Sequence, residues 1–163
     1  MKQKDLLLIC ILFICIAFPY ENKFSYNNSG TISLSNDVEL MDAVDGYTRL
    51  SKMGEGHTTQ TGFPELPQFS TYYQLDPSKT YDFQFEVLDS YIIEDINILP
   101  HQGMKKWEVE DIKIINEEVY NSYVPYPSEN MIVSNRIEGR GIEFINISVI
   151  PYKYYPKYKK LEV

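Results

Sequence analysis

The feature that most constrains this chain is a period-two alternation of apolar and polar residues that recurs from Pro64 onward. Its longest run covers residues 81–87, where every second side chain is aromatic or aliphatic. Such alternation gives a segment one apolar face for a core and one polar face for water, as in a half-buried β-strand. The sequence therefore predicts a strand at 81–87 within an all-β protein.

The rest of the chain repeats this pattern in shorter pieces. Further strands are predicted at residues 69–75, 91–98, 109–115, 132–137 and 142–150, followed by a hairpin with its tip at 158–160. Turn residues separate them at the spacing of an antiparallel β-sandwich. Residues 38–44 are the only helix candidate, and residues 48–62 read as a loop or an irregular connection. We expect an N-terminal segment at 19–61, a β-sandwich at 62–163, and one domain over 19–163.

The N-terminal end has the features of an export leader at residues 1–18. Lys2 and Lys4 precede an apolar run of about 13 residues, too short to span a bilayer as a helix. Cleavage is predicted near Ala17, which makes the protein secreted or extracytoplasmic. The alternatives are an uncleaved anchor and a lipoprotein leader, although Cys10 and Cys15 each follow an isoleucine rather than a small residue.

The small number of cysteines and histidines excludes most kinds of catalytic site. The only two cysteines lie inside the leader, so the mature chain has no thiol nucleophile and is not expected to be an enzyme by itself. The only histidines, His57 and His101, both read as solvated and lie too far apart for a zinc site. No metal or cofactor is expected. The net charge of −8 disfavours nucleic acid and anionic membranes as partners.

Lysines and tyrosines alternate in the tail at residues 152–160. Such mixtures can bind single-stranded nucleic acid through stacking and charge. Because the rest of the chain is acidic and would repel nucleic acid, we favour a different interpretation of this tail. In it the segment forms a closing hairpin, whose tyrosines pack inward and whose lysines protect an edge strand.

Three short motifs occur in a fixed order and carry a family resemblance. The first runs from Gly62 through Pro64 to Leu66 and Pro67, and the second is Pro100-His101-Gln102. The third comprises Arg140-Gly141, Pro151, Tyr154 and Pro156. This ordered set resembles the N-terminal propeptide of gingipain-type cysteine peptidases. Tyr152 and Tyr155 depart from the family pattern, which has valine and asparagine there.

The resemblance implies an antiparallel β-sandwich that assists folding of a cysteine peptidase domain and keeps it latent. Latency in this family comes from a basic side chain that a loop after the Pro-x-Gln motif presents to the peptidase. The corresponding residues are Lys105 and Lys106 as pocket-filling cations and Trp107 as a packing anchor. The alternative for this segment is a solvated turn. The partner peptidase domain would act in cis in a longer precursor, or in trans.

Two other functions stay open at this point. The 14 tyrosines could form a binding platform for carbohydrate or a protein surface. A row of tyrosines on one solvated face would favour that module, whereas tyrosines distributed through the core would not. The chain could also be a structural domain of a larger secreted assembly.

Overall fold

The computed structural model describes residues 31–35, 37–103, 112 and 114–163. Residues 35–163 form one compact unit. Residues 31–34 belong to a separate unit and adopt no regular secondary structure.

The compact unit is built almost entirely of β-strands, and every strand pair in it is antiparallel. The strands are β1 (Glu39–Asp42), β2 (Thr48–Ser51), β3 (Gly56–His57), β4 (Pro67–Leu75), β5 (Ile92–Ile93), β6 (Met131–Val133), β7 (Ile137–Gly139), β8 (Ile142–Val149), β9 (Lys153–Tyr155) and β10 (Lys160–Glu162). One short helix, α1 (Glu117–Tyr120), and 3-10 turns at Val44–Gly46 and Pro156–Tyr158 complete the described elements. The predicted all-β, antiparallel, sandwich-like class is confirmed.

The largest sheet has the order β3-β4-β8-β6, with β7 also paired to β8. Its centre is the long β4–β8 pair, which runs from Phe69 opposite Val149 to Leu75 opposite Glu143. The side chains of Leu75, Ile145 and Val149 are buried on one face, whereas Tyr72 lies on the solvated face. The two predicted strands at 69–75 and 142–150 are therefore confirmed, because each has a partner along its length.

A three-stranded sheet of order β5-β10-β9 contains the C-terminal hairpin. The 3-10 turn at Pro156–Tyr158 and the left-handed residue Lys159 (φ 50°) reverse the chain between β9 and β10. The predicted hairpin is confirmed, although its turn spans residues 156–159 rather than 158–160, because Lys160 already pairs with Tyr155. Its buried side chains enter the main hydrophobic core, whose members include Leu50, Leu66, Ile98, Tyr152, Tyr154 and Leu161, all fully buried.

The predicted strand at 81–87 is wrong in the described structure. These residues follow a turn in which the Lys79 N–H donates to the Asp76 carbonyl at 3.0 Å, but they join no strand ladder. Tyr81 and Phe83 instead pack their rings on Tyr73, at centroid distances of 5.6 and 5.9 Å. Alternation determines which side chains face a core, but a strand also needs a neighbouring backbone, and no described residue supplies one here.

The predicted helix at 38–44 is also wrong. Residues Glu39–Asp42 form β1, which pairs with β2 from Glu39 opposite Ser51 to Asp42 opposite Thr48. A helix of two turns is marginal without tertiary support, whereas the hairpin satisfies the same backbone groups by pairing. The predicted strand at 91–98 shortens to β5, and most of the one at 109–115 lies outside the described residues.

Removing a core side chain tests this packing. Leu161→Ala should lower the free energy of unfolding by about 2–5 kcal/mol, because Leu161 is fully buried in the main core. The matched variant Leu88→Ala, at a side chain that is 84% exposed, should leave it within about 0.5 kcal/mol. Urea unfolding measures both, and equal losses would contradict the assigned core.

Buried tyrosines predict a loss of stability at alkaline pH. Burial raises the pKa of Tyr154 to about 12, above the ordinary value of 10.0. The unfolded chain therefore loses this proton first, so stability is constant with respect to Tyr154 below about pH 10 and falls between about pH 10 and 12. Urea midpoints should drop from about pH 8 to about pH 11, and less so for Tyr154→Phe. An unchanged drop in the variant would contradict this assignment.

Candidate functional site

The candidate site is the base of the loop that begins at Gly103, which we call the loop base. The predicted functional residues Lys105, Lys106 and Trp107 lie outside the described residues. The structure does describe the residues at both ends, Gln102 and Gly103 before them and Ile114 after them. The loop base is made of these residues together with Gly62, Pro64 and Pro100.

The side chain of Gln102 joins the two ends of the loop directly. Its Nε2 donates to the Ile114 carbonyl at 2.8 Å, and its Oε1 accepts from the Ile114 N–H at 3.0 Å. Nε2 also donates to the Pro100 carbonyl at 3.0 Å. An amide side chain satisfies a backbone donor and acceptor at once, as a neighbouring strand would do. The loop therefore closes on one residue of the second motif.

Gly62, from the first motif, holds both ends as well. Its N–H donates to the His101 carbonyl at 2.7 Å, and its carbonyl accepts from the Asn116 N–H at 2.9 Å. The residue has φ +82°, and a Cβ there would lie 3.1 Å from the backbone nitrogen of Asn116. Glycine is required at this position because both the left-handed backbone and the close approach exclude a side chain.

The two proline-containing motifs pair with each other as a short antiparallel ladder. The His101 N–H donates to the Phe63 carbonyl at 2.8 Å, and the Glu65 N–H donates to the Leu99 carbonyl at 2.8 Å. Pro64 and Pro100 lie opposite each other at its centre. Proline has no N–H to leave unpaired and restricts φ, so these positions stay extended at little cost in backbone entropy.

A cluster of polar side chains borders this ladder. Oε2 of Glu65 lies 3.0 Å from Nδ1 of His101, and Oε1 of the same carboxylate lies 3.3 Å from Nε of Arg49. The Glu65 and His101 side chains are largely buried, so the solvated reading of His101 is wrong. Sequence reasoning missed this cluster because Glu65 and His101 are separated by 36 residues and match no catalytic or metal-binding spacing.

The remaining residues of the first motif continue from the loop base into the core. Leu66 is fully buried, and its N–H donates to the Thr58 hydroxyl at 3.0 Å. That hydroxyl in turn donates to the Pro64 carbonyl at 2.9 Å. Pro67 starts β4 opposite His57, whose Nε2 lies 2.9 Å from the Leu50 carbonyl. This part of the motif fixes the loop base to the core.

The third motif is structural and lies elsewhere. Arg140 (φ 54°) and Gly141 (φ 74°) form the two-residue turn between β7 and β8, a geometry that needs two left-handed residues. Tyr154 is fully buried, and its backbone exchanges two hydrogen bonds of 2.8 Å with Tyr126. Pro156 is buried at the start of the 3-10 turn, and Pro151 lies between β8 and β9. The structure does not bring these residues into the loop base.

The described tyrosines are divided between the core and separate surface positions. Tyr152 and Tyr154 are fully buried, Tyr72 is exposed on β4, and Tyr123 and Tyr158 are exposed as a pair whose ring centroids lie 5.6 Å apart. This distribution disfavours a binding module based on an aromatic row. In the tail, Lys153 donates to the carbonyls of Pro127 and Ser128 and Lys160 contacts Glu94 at 2.8 Å, as expected of a packed hairpin.

Other kinds of site find little support in the described part of the chain. A surface depression near Gly56, His57 and Gln68 has a volume of about 220 Å³, below the roughly 300–1,000 Å³ of small-molecule sites. Within residues 31–35, 37–103, 112 and 114–163, no cluster of three or more His, Cys, Asp or Glu side chains could hold a metal ion. Across those same residues, no helix is long and apolar enough to cross a membrane.

The fold and the loop base define an antiparallel β domain in which two motifs hold the ends of a single loop. The family model Propeptide_C25 matches residues 36–163, and the chain belongs to this propeptide family. In gingipain-type peptidases the propeptide is a non-catalytic part, which agrees with the absence of cysteine from the matched residues. A search of curated proteins finds no match.

Two solved structures from Porphyromonas gingivalis have a similar fold. The first is a complex of the RgpB pro- and mature domains, with 23% identity and a TM-score of 0.59 over 78% of this chain and 68% of the other. The second is a structure on the zymogenic latency of gingipain K, with 18% identity and a TM-score of 0.60 over 77% and 74% of the two chains. At these identities the likeness supports the fold.

Removal of the Gln102 amide should loosen the loop base. Gln102→Ala deletes both bonds to Ile114, so the Ile114 amide should exchange its hydrogen at least about tenfold faster while most core amides keep their protection. The matched variant Gln68→Ala removes an exposed bond to Ser70 and should not change Ile114 exchange. Unchanged exchange in Gln102→Ala, measured by NMR, would contradict the clamp.

Proposed function

We propose that this propeptide keeps a gingipain-type cysteine peptidase domain inactive and assists its folding. Family membership supports a peptidase as the partner. The structural neighbours agree, since one is a complex of pro- and mature domains and the other concerns zymogenic latency. The peptidase domain would act in cis within a precursor, or be bound in trans.

The observation that carries this proposal is the geometry of the loop base. Gln102 and Gly62 each contact residues at both ends of the loop, so its closure is already enforced by the folded domain. Restricting the ends of a loop before binding reduces the conformational entropy that the complex must lose. A loop held in this way can inhibit more strongly than the same residues in a free peptide.

The chemistry of the loop supports a substrate-like mode of inhibition. Lys105 and Lys106 each carry an ammonium group on a long flexible stem, which can enter a pocket that accepts a basic substrate side chain. Trp107 would supply apolar contact area beside it, as aromatic anchors do in other interfaces. We assign the specificity-pocket contact to Lys105 or Lys106 and the packing contact to Trp107.

The export leader that the sequence predicts at residues 1–18 would place this function outside the cytoplasm. Export as an inactive pair would protect the producing cell from the peptidase until it reaches its destination. The binding-module alternative receives no comparable support, because the largest fully buried described side chains include Tyr152 and Tyr154, and Tyr123 and Tyr158 form an exposed pair rather than a row.

Inhibition assays test the proposal directly. The chain from Tyr20 onward should inhibit a lysine- or arginine-specific gingipain-type peptidase with a saturable, stoichiometric titration curve. Lys105→Ala/Lys106→Ala should weaken inhibition at least about tenfold, because the cations that fill the specificity pocket are lost.

The control is Lys157→Ala/Lys159→Ala, which removes the same charge from the exposed C-terminal turn. It should inhibit within about twofold of the unmodified chain. Equal inhibition by the loop variant and the unmodified chain would contradict the residue assignment. No inhibition of either peptidase by any form would contradict the proposed function.

A further inference from the structure

A second surface stands out between β4 and β5, where the chain keeps a period-two pattern over residues 81–93. The odd-numbered residues of this stretch, among them Phe85, Val87 and Tyr91, are apolar or aromatic, with the single exception of Asp89. The run is anchored at one end by the packing of Tyr81 and Phe83 on Tyr73. At the other end it enters β5, which pairs with β10. We call the stretch between these anchors, residues 84–90, the unpaired run.

The unpaired run has the composition of a strand but has no strand neighbour in the part of the chain that the structure describes. None of the described residues forms a backbone–backbone hydrogen bond with residues 84–90. Its apolar side chains are open to solvent, with exposures of 36% at Phe85, 59% at Val87 and 84% at Leu88. Exposed backbone groups beside apolar side chains form a ready template for pairing with another strand.

The existing ladder sets the direction and register of such a strand. Leu161 lies opposite Ile93 and Glu162 opposite Ile92 in the antiparallel β5–β10 pair. Tyr91 and Val163 then exchange both of their backbone hydrogen bonds, at 3.0 and 2.9 Å. Val163 is the last residue of the sequence, so the ladder is described as far as Tyr91.

Hydrogen-bonded positions alternate along an antiparallel pair. Because Tyr91 is such a position, the backbone groups of Asp89, Val87 and Phe85 would face an added strand when the run is extended. The N–H groups of even-numbered residues such as Gln84 would face away from it. An added strand would therefore lie in line with β10.

Charge decides what kind of strand fits. Residues 81–90 contain Asp82, Glu86 and Asp89 and no basic residue. Antiparallel pairing of this run with a second copy would bring acidic side chains near one another, which destabilises a sheet. A strand with apolar residues on one face and lysine or arginine among the others would instead find complementary contacts.

We propose that residues 84–90 are a strand-addition site that receives an extended, partly basic segment of the peptidase domain. The segment runs antiparallel to residues 84–90 and continues the β5–β10 ladder. This inference rests on the proposed function for its partner. It adds a contact surface separate from the loop base, in which main-chain hydrogen bonds supply affinity and the alternate apolar side chains supply register.

A pair of proline variants tests the site. Val87→Pro removes an N–H that faces the added strand, whereas the matched control Gln84→Pro removes one that faces away. Neither N–H forms a backbone hydrogen bond in the described structure, so both variants should unfold at the same urea concentration as the unmodified chain. Inhibition of a gingipain-type peptidase is then titrated for both, beside Lys105→Ala/Lys106→Ala, and self-association is followed by sedimentation velocity.

The proposal predicts that Val87→Pro weakens inhibition at least about tenfold while Gln84→Pro stays within about twofold. Full inhibition by Val87→Pro, with loss in the lysine variant, overturns strand addition and leaves the proposed function standing. Absence of inhibition by the unmodified chain overturns both. Self-association that Val87→Pro abolishes overturns the peptidase as occupant in favour of a second copy.

Discussion

The closure of one loop by the Gln102 side chain is the interaction on which the candidate site depends. A single amide group pairs with both backbone groups of Ile114, as the backbone of a neighbouring strand would do. Gly62 makes the second connection through its own backbone, to His101 on one side and Asn116 on the other. Two independent contacts therefore hold the same pair of chain ends.

The residues behind these contacts are buried, which ties the contacts to the core. Pro64, Leu66 and Pro100 are fully buried, and the Thr58 hydroxyl bridges Pro64 and Leu66 from inside the domain. The Glu65 carboxylate adds polar contacts to His101 and Arg49 on the border of the ladder. The family motif thus joins core packing and polar contacts that hold the two described ends of the loop, residues 100–102 and 114–116.

Sequence reasoning succeeded where local pattern and pairing agree. The alternation at 69–75 and 142–150 became β4 and β8 because each strand lies beside the other, and the C-terminal hairpin formed as predicted. It failed at residues 81–87 and 38–44 because the periodicity of a segment does not show whether another strand lies beside it to form backbone hydrogen bonds. The class of fold was therefore accessible from the sequence, whereas the pairing of individual segments depended on contacts between distant residues.

The same distinction applies to the candidate site, where residue identity was predictable from the sequence but contacts between distant residues were not. The motif residues Gly62 and Gln102 could be named from the sequence, but their shared contact with the ends of one loop could not, since the partners are up to 54 residues apart in the chain. The Glu65–His101 pair was missed for this reason. The functional weight of Lys105, Lys106 and Trp107 follows from the family resemblance and stays a prediction.

The central claim is that the folded domain pre-organises the loop, and one comparison tests it most directly. Inhibition of a gingipain-type peptidase by the intact chain is measured beside inhibition by a free peptide of residues 102–114. The account predicts that the peptide, which lacks Gly62 and the core behind it, is weaker by roughly 100-fold or more. A peptide that inhibits as strongly as the intact chain would contradict the account, because the loop base would then contribute nothing to binding.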